Sequence, residues 1–157
     1  PVQKIKSFVL GGHGDSMVAM LESTEIDGKK IKEFVKEGKL SEEKLSQIVD
    51  RTKKGGAEIV KFLEKGSAFY APAASGVEMA ECYLKDLKKQ LPCAAYLNGQ
   101  YNTENLYAGV PVIIGAGGVE KVVELNLSEQ EKKDFENSIK TVQELFEAAK
   151  KIDPSLK

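Results

Sequence analysis

A chain of 157 residues with 41% hydrophobic and 30% charged residues has the size and composition of one soluble, core-forming domain, not of a disordered segment. Lys plus Arg number 23 against 24 Asp plus Glu, so the formal charge is −1 and the basic excess expected of a nucleic-acid binder is missing. No stretch approaches the roughly 18 apolar residues needed to cross a membrane, and no charged leader precedes an apolar signal core.

The rare residues are the informative ones. There is one His, His13, and one Arg, Arg51, against 22 Lys. The chain starts at Pro1 with no Met, which suggests a mature product or a piece of something longer. Cys82 and Cys93 are too few for a secreted disulfide framework and lack metal-ligand spacing, so both are expected to be reduced packing residues in a cytoplasmic protein.

In chain order, Ser7–Leu10 reads as a short apolar strand running into Gly11-Gly12-His13-Gly14-Asp15, and Met17–Leu21 as a second apolar run. Asp27-Gly28 signals a hairpin turn with a strand on either side. Ile31, Phe34 and Val35 carry helical spacing that Gly38 ends. Ser41 caps a helix whose first turn holds Glu42 and Glu43, and Leu45, Ile48, Val49 and Thr52 mark its face. Gly55-Gly56 marks either a break between two helices or a close packing contact, after which Ile59, Val60 and Leu63 resume the face. Gly66–Pro72 reads as a loop into another helix, with an apolar stripe at Ala73, Val77, Ala80, Leu84 and Leu87. Strands follow at Leu91–Leu97, Val110–Ile114 and Val119–Leu125, with turns at Asn98-Gly99 and Gly115–Gly118. Ser128 and Glu131 form a capping box, and Phe135, Ile139, Val142, Phe146 and Ala149 place one buried face on a long helix that Asp153-Pro154 ends. Strands and helices do not alternate strictly, so the fold class is α+β with a mixed or antiparallel sheet and long packed helices.

His13 is the first candidate for chemistry. An imidazole can give and take a proton at working pH, and the flanking Gly12 and Gly14 remove bulk so that a ligand could approach. The plain alternative is a His in a glycine turn, hydrogen-bonded to a neighbour. Asp15, two residues on, falls on the opposite face of an extended segment and is not assigned as its orienting carboxylate. One His and two distant Cys offer no zinc site, and nothing in the sequence lowers the pKa of either Cys. A Gly-x-Ser-x-Gly elbow is missing. Gly115–Gly118 begins like a dinucleotide fingerprint but has Glu120 where the third Gly belongs, which favours a hairpin turn. Arg51, near Asp50, Lys53 and Lys54, reads as one half of a surface or intersubunit ion pair.

The run Phe8-Val9-Leu10-Gly11-Gly12-His13-Gly14-Asp15-Ser16-Met17-Val18 closely resembles the active-site segment of the lactate/malate dehydrogenase family, above all its lactate-dehydrogenase-like malate dehydrogenases. Residues 51–60, 66–75, and 91–97 with 109–115 agree with the same family in the same order. The resemblance implies that residues 1–157 are the C-terminal catalytic and substrate domain, with an NAD-binding Rossmann domain upstream and outside this chain. It implies malate and oxaloacetate as substrates, NAD as cofactor and a homo-oligomer, dimer or tetramer, with no nucleic-acid or membrane partner. It makes His13 the general acid/base, puts Ala68 at the substrate pocket and Pro72 on the nicotinamide side, and leaves the isolated chain inactive. The carboxylate-binding arginines and the aspartate that orients the histidine are implied to lie upstream. Ala19 stands where these malate dehydrogenases commonly have Pro, and Glu22 where a basic or neutral residue is expected. A lactate-specific enzyme of the same family, or an assembly module without catalysis, are the alternatives.

Overall fold

Alternation writes the central strands. In the computed structural model, which describes residues 1–156, Leu91, Cys93, Ala95 and Leu97 are buried while Pro92, Ala94 and Tyr96 are exposed. This is the period of a strand with one face on the core. These residues belong to a long strand that pairs antiparallel with its successor, Leu91 opposite Val112 and Leu97 opposite Leu106. Numbered along the chain, the strands are β1 (Ile5–Lys6), β2 (Val9–Gly11), β3 (Met17–Ala19), β4 (Glu25–Ile26), β5 (Lys29–Lys30), β6 (Lys89–Asn98), β7 (Glu104–Gly115) and β8 (Gly118–Val122). The helices are α1 (Ile31–Lys36), α2 (Glu42–Lys53), α3 (Gly55–Leu63), α4 (Tyr70–Leu84) and α5 (Glu129–Ile152).

A five-stranded sheet runs β3-β2-β7-β6 with β8 also on β7, and a small three-stranded sheet runs β1-β4-β5. Every pairing is antiparallel, so the sheet is antiparallel and not mixed. The core lies between the larger sheet and α5, with Leu10, Met20, Leu97, Val110 and Val112 at its centre, and Phe135 and Ile139 on the helix. From α4 only Cys82 is buried. Both cysteines are free and buried, and burial pushes the Cys93 thiol up.

Local signals act as expected. The Asp27-Gly28 turn joins β4 to β5 with both residues at positive φ. Ser41 Oγ accepts from the Lys44 N–H at 3.1 Å. The capping box forms, Ser128 Oγ accepting from the Glu131 N–H at 3.3 Å and Glu131 Oε2 from the Ser128 N–H at 2.9 Å. Gly55-Gly56 is a break between helices and not a packing contact, because a Cβ at either position would meet nothing within 4 Å.

Several expectations change. β7 begins at Glu104, well before Val110, because Leu106 and Ala108 are buried opposite β6. The last strand stops at Val122, and the Leu125 N–H donates instead to Tyr101 Oη at 2.9 Å. α4 begins at Tyr70, which puts Pro72 in the first helical turn, where its missing N–H costs nothing. The apolar stripe read on α4 faces outward, with Val77 at 68% and Leu84 at 79% exposure. On α3, Ile59, Val60 and Leu63 are likewise exposed.

Candidate functional site

The site is built where β2 stops. Gly11 pairs with Gly109 of β7, and a Cβ on Gly109 would come within 2.8 Å of the Gly11 carbonyl oxygen. Gly11 itself sits at φ +91°, and a side chain there would collide with Ser138 of α5. The chain then passes through Gly12 to His13, whose backbone is extended, and into a 3-10 turn over Gly14–Ser16 before β3 returns. Gly14 adopts φ +73° with open space around it. The space left by Gly12 is not free for a ligand: a Cβ there would collide with Ser16 Oγ and lie 3.2 Å from Val142 Cγ2. Gly11 and Gly12 let the loop pack against α5, and only Gly14 leaves room beside the imidazole.

His13 is exposed at the head of a cavity of about 360 Å³, lined also by Gly11, Gly12, Met17, Pro92, Ala94, Tyr107, Gly109 and Val142. The His13 carbonyl accepts from Ser16 Oγ at 3.3 Å. Within the described residues no carboxylate pairs with the imidazole. Asp15 lines a separate cavity with Lys53, Asp134 and Ser138, so it does not orient the histidine. With Asp50 as the main cause, Asp15 also helps to raise the Lys54 ammonium pKa.

The other candidates are placed elsewhere. Ala68 is half-buried in the loop before α4, and Pro72 is exposed in that helix's first turn. Neither lines the cavity beside His13. Arg51 is committed within the chain: Nε donates to Glu58 Oε2 at 3.0 Å and Nη2 to Oε1 at 2.7 Å. This fork crosses the α2–α3 break, raises the Arg51 pKa and lowers that of Glu58. Of the two departures noted in the sequence, Glu22 pairs with Lys32 and its N–H donates to Glu131 Oε1 at 3.1 Å, and Ala19 lies opposite Val9.

Sequence reading passed over Ser138. It is buried on the apolar face of α5 and is the residue that meets the His13 loop. A small polar residue between Phe135 and Val142 on an otherwise apolar stripe was the available signal. Gly115–Gly118 forms no nucleotide cradle. It is the β7–β8 turn, where Asp86 Oδ1 accepts from the Ala116 N–H at 2.8 Å and Glu120 Oε1 from the Gly117 N–H at 3.4 Å. Among the described residues no group of three His, Cys, Asp or Glu side chains is placed to hold a metal.

Comparison with known proteins agrees with this architecture. The family model described as lactate/malate dehydrogenase, alpha/beta C-terminal domain, matches residues 1–152. A malate dehydrogenase from Pelagibacter ubique (strain HTCC1062) is 62% identical over 99% of this chain, which spans 49% of that protein. A crystal structure of Cryptosporidium parvum malate dehydrogenase superposes with a TM-score of 0.93 at 46% identity, covering 96% of this chain and 48% of its own. The lactate dehydrogenase of Eimeria maxima with NADH and oxamate superposes at 0.94 with 42% identity, covering 98% of this chain and 48% of its own. The chain thus spans about half the length of the relatives it matches. It belongs to the lactate/malate dehydrogenase family, and its residues form that family's α/β C-terminal domain.

Proposed function

We propose that this chain is the catalytic and substrate half of an NAD-dependent malate dehydrogenase, with His13 as general acid/base. The observation that carries the reading is an exposed imidazole at the head of a cavity, in a chain 62% identical to a malate dehydrogenase. His13 takes the hydroxyl proton as the secondary alcohol of malate becomes the ketone of oxaloacetate, and returns it in the reverse direction. NAD supplies the hydride acceptor for this chemistry. The glycine-rich turn at Gly115–Gly118 does not fit the phosphates of that nucleotide, since the N–H groups of Ala116 and Gly117 are taken by carboxylates. We assign it to an upstream Rossmann domain outside this chain, together with the groups that orient His13 and bind the substrate carboxylates. Ala68 is assigned to the substrate pocket and Pro72 to the nicotinamide side once that half is in place.

The outward-facing apolar residues of α3 and α4, among them Phe62, Val77 and Leu84, support assembly of the complete enzyme as a homo-oligomer. Among the described residues no helix is long and apolar enough to cross a membrane, and a cytoplasmic setting is proposed. Structural likeness is the same to malate and lactate dehydrogenases, and sequence identity favours malate.

The test is made in the full-length enzyme. His13→Asn is expected to lower kcat by about 10²–10⁴-fold, the usual worth of a positioned acid/base. Turnover close to that of the unaltered enzyme would remove His13 from the mechanism. The isolated 157-residue chain, given malate and NAD, is expected to form no reduced nicotinamide. A kcat/KM for lactate above that for malate would move the reading to the lactate enzyme.

A further inference from the structure

We propose that Ser138 is a positioning residue of this site: its hydroxyl ties the His13 loop to α5 and so fixes the backbone from which the imidazole projects. The proposal rests on His13 being the acid/base. Ser138 is 126 positions from Gly12 and 122 from Ser16 in sequence, yet one hydroxyl engages both. Ser138 Oγ accepts from the Gly12 N–H at 2.8 Å and donates to the Ser16 carbonyl at 2.5 Å. A serine hydroxyl has one proton to give and two lone pairs, so both roles are available to it at once. The two bonds bracket His13, one residue before it and three after. Ser16 adds a further tie inside the loop, its own hydroxyl donating to the His13 carbonyl.

The anchor is rigid. Ser138 is 3% exposed, one turn beyond Phe135 and next to Ile139, both in the core. The start of α5 is held by the Ser128–Glu131 capping box. Gly11 completes the arrangement, because any side chain there would occupy the position of the Ser138 hydroxyl. The exposed imidazole has no side-chain tether of its own among the described residues, so within this domain the backbone on either side of it fixes where the ring is rooted, ready for the upstream groups that orient it. Without the hydroxyl the Gly12 N–H and the Ser16 carbonyl both lose their partner, and the loop is free to shift. Misplacement on the scale of 1 Å costs proton and hydride transfer about a hundredfold.

The test uses the full-length enzyme with Ser138→Ala, Ser138→Thr and His13→Asn in parallel. Ser138→Ala is expected to lower kcat about ten- to a hundredfold with little change in KM, because a misaimed acid/base weakens the transition state and not substrate binding. The deuterium isotope effect on kcat, with malate deuterated at its carbinol carbon, is expected to rise as the chemical step becomes limiting. Ser138→Thr, which keeps the hydroxyl, is expected to recover most of the rate. Should Ser138→Ala not fold, Ser138→Cys fills the position with a somewhat larger group that is only a weak donor and acceptor, and is expected to show the same kcat loss. A folded Ser138→Ala enzyme with unchanged kcat and isotope effect, beside an inactive His13→Asn, overturns the role of Ser138 alone. Equal losses in the Ala and Thr variants with an unchanged isotope effect show a space-filling residue and overturn it too. An active His13→Asn enzyme overturns the acid/base reading, and this proposal with it.

Discussion

Replacing Gly109 by Ala tests the joint on which the site hangs. β2 meets β7 through one register pair, Gly11 opposite Gly109, and His13 follows two residues later. An added Cβ would sit 2.8 Å from the Gly11 carbonyl oxygen, where ordinary contact begins at 3.4 Å. The obstacle is backbone and not the end of a flexible side chain, so relief requires the two strands to part. Overpacking of this kind costs about 1–3 kcal/mol. At this chain length each kcal/mol moves the thermal midpoint by roughly 2–4 °C. Gly76→Ala is the matched control. It lies inside α4, a Cβ there meets nothing within 4 Å, and relief of backbone entropy should stabilise by about 0.5–1 kcal/mol. Far-ultraviolet circular dichroism on both variants reads the difference, with denaturant midpoints as a second measure. The two shifts should have opposite signs in this chain, and in the full-length enzyme Gly109→Ala should lower kcat. A Gly109→Ala midpoint at or above that of the parent would refute the close approach of β2 to β7.

Tyr101→Phe removes a hydroxyl that donates to the Val123 carbonyl at 2.8 Å and accepts from the Leu125 N–H at 2.9 Å. With both groups left behind in a half-buried setting, it should cost about 1–3 kcal/mol in chemical denaturation. The same burial, aided by the Glu124 charge and opposed by the Leu125 N–H, pushes the Tyr101 hydroxyl up, so ultraviolet titration should find its phenolate only above the ordinary tyrosine range. At Glu37, hydrogen bonds from Lys29 and Lys39 hold the carboxyl down to about 2, and a carbon-detected NMR titration should place its midpoint there. Because the folded value lies below the unfolded one, the contribution is complete above about 4.5 and is lost as pH falls toward about 2. Glu37→Gln should flatten stability against pH in that window, and high salt should do the same in part.

Short-range features of this fold are readable because the residues that decide them are neighbours. Ser128 and Glu131 are three apart, Asp27 and Gly28 form the turn themselves, and Ser41 needs only the Lys44 N–H. The long helix follows from its repeat through Phe135, Ile139 and Val142. The start of β7 was not readable, because Ala108 and Gly109 carry little strand preference and are held by pairing with Ala95 and Ala94. Periodicity on α4 identified an apolar face but not its partner, and among the described residues Val77 and Leu84 stay exposed.

For the site, the single His between two glycines at a strand end was visible in the sequence, as was the agreement with the family along nearly the whole chain. Spacing alone assigned the glycines to ligand access; the fold assigns Gly11 and Gly12 to packing against Ser138, Ser16 and Val142. The sequence by itself determined most of the elements, their caps and the lone imidazole set between two glycines, since each depends on residues within a few positions of one another. Only the tertiary structure decided the close approach of Gly11 to Gly109 and the capture of the Gly12–Ser16 loop by Ser138. Those contacts join residues about a hundred or more positions apart, and the physical reason they escape a linear reading is that hydrogen bonds and steric fit act through space, where the pattern of a single element carries no record of what it will meet.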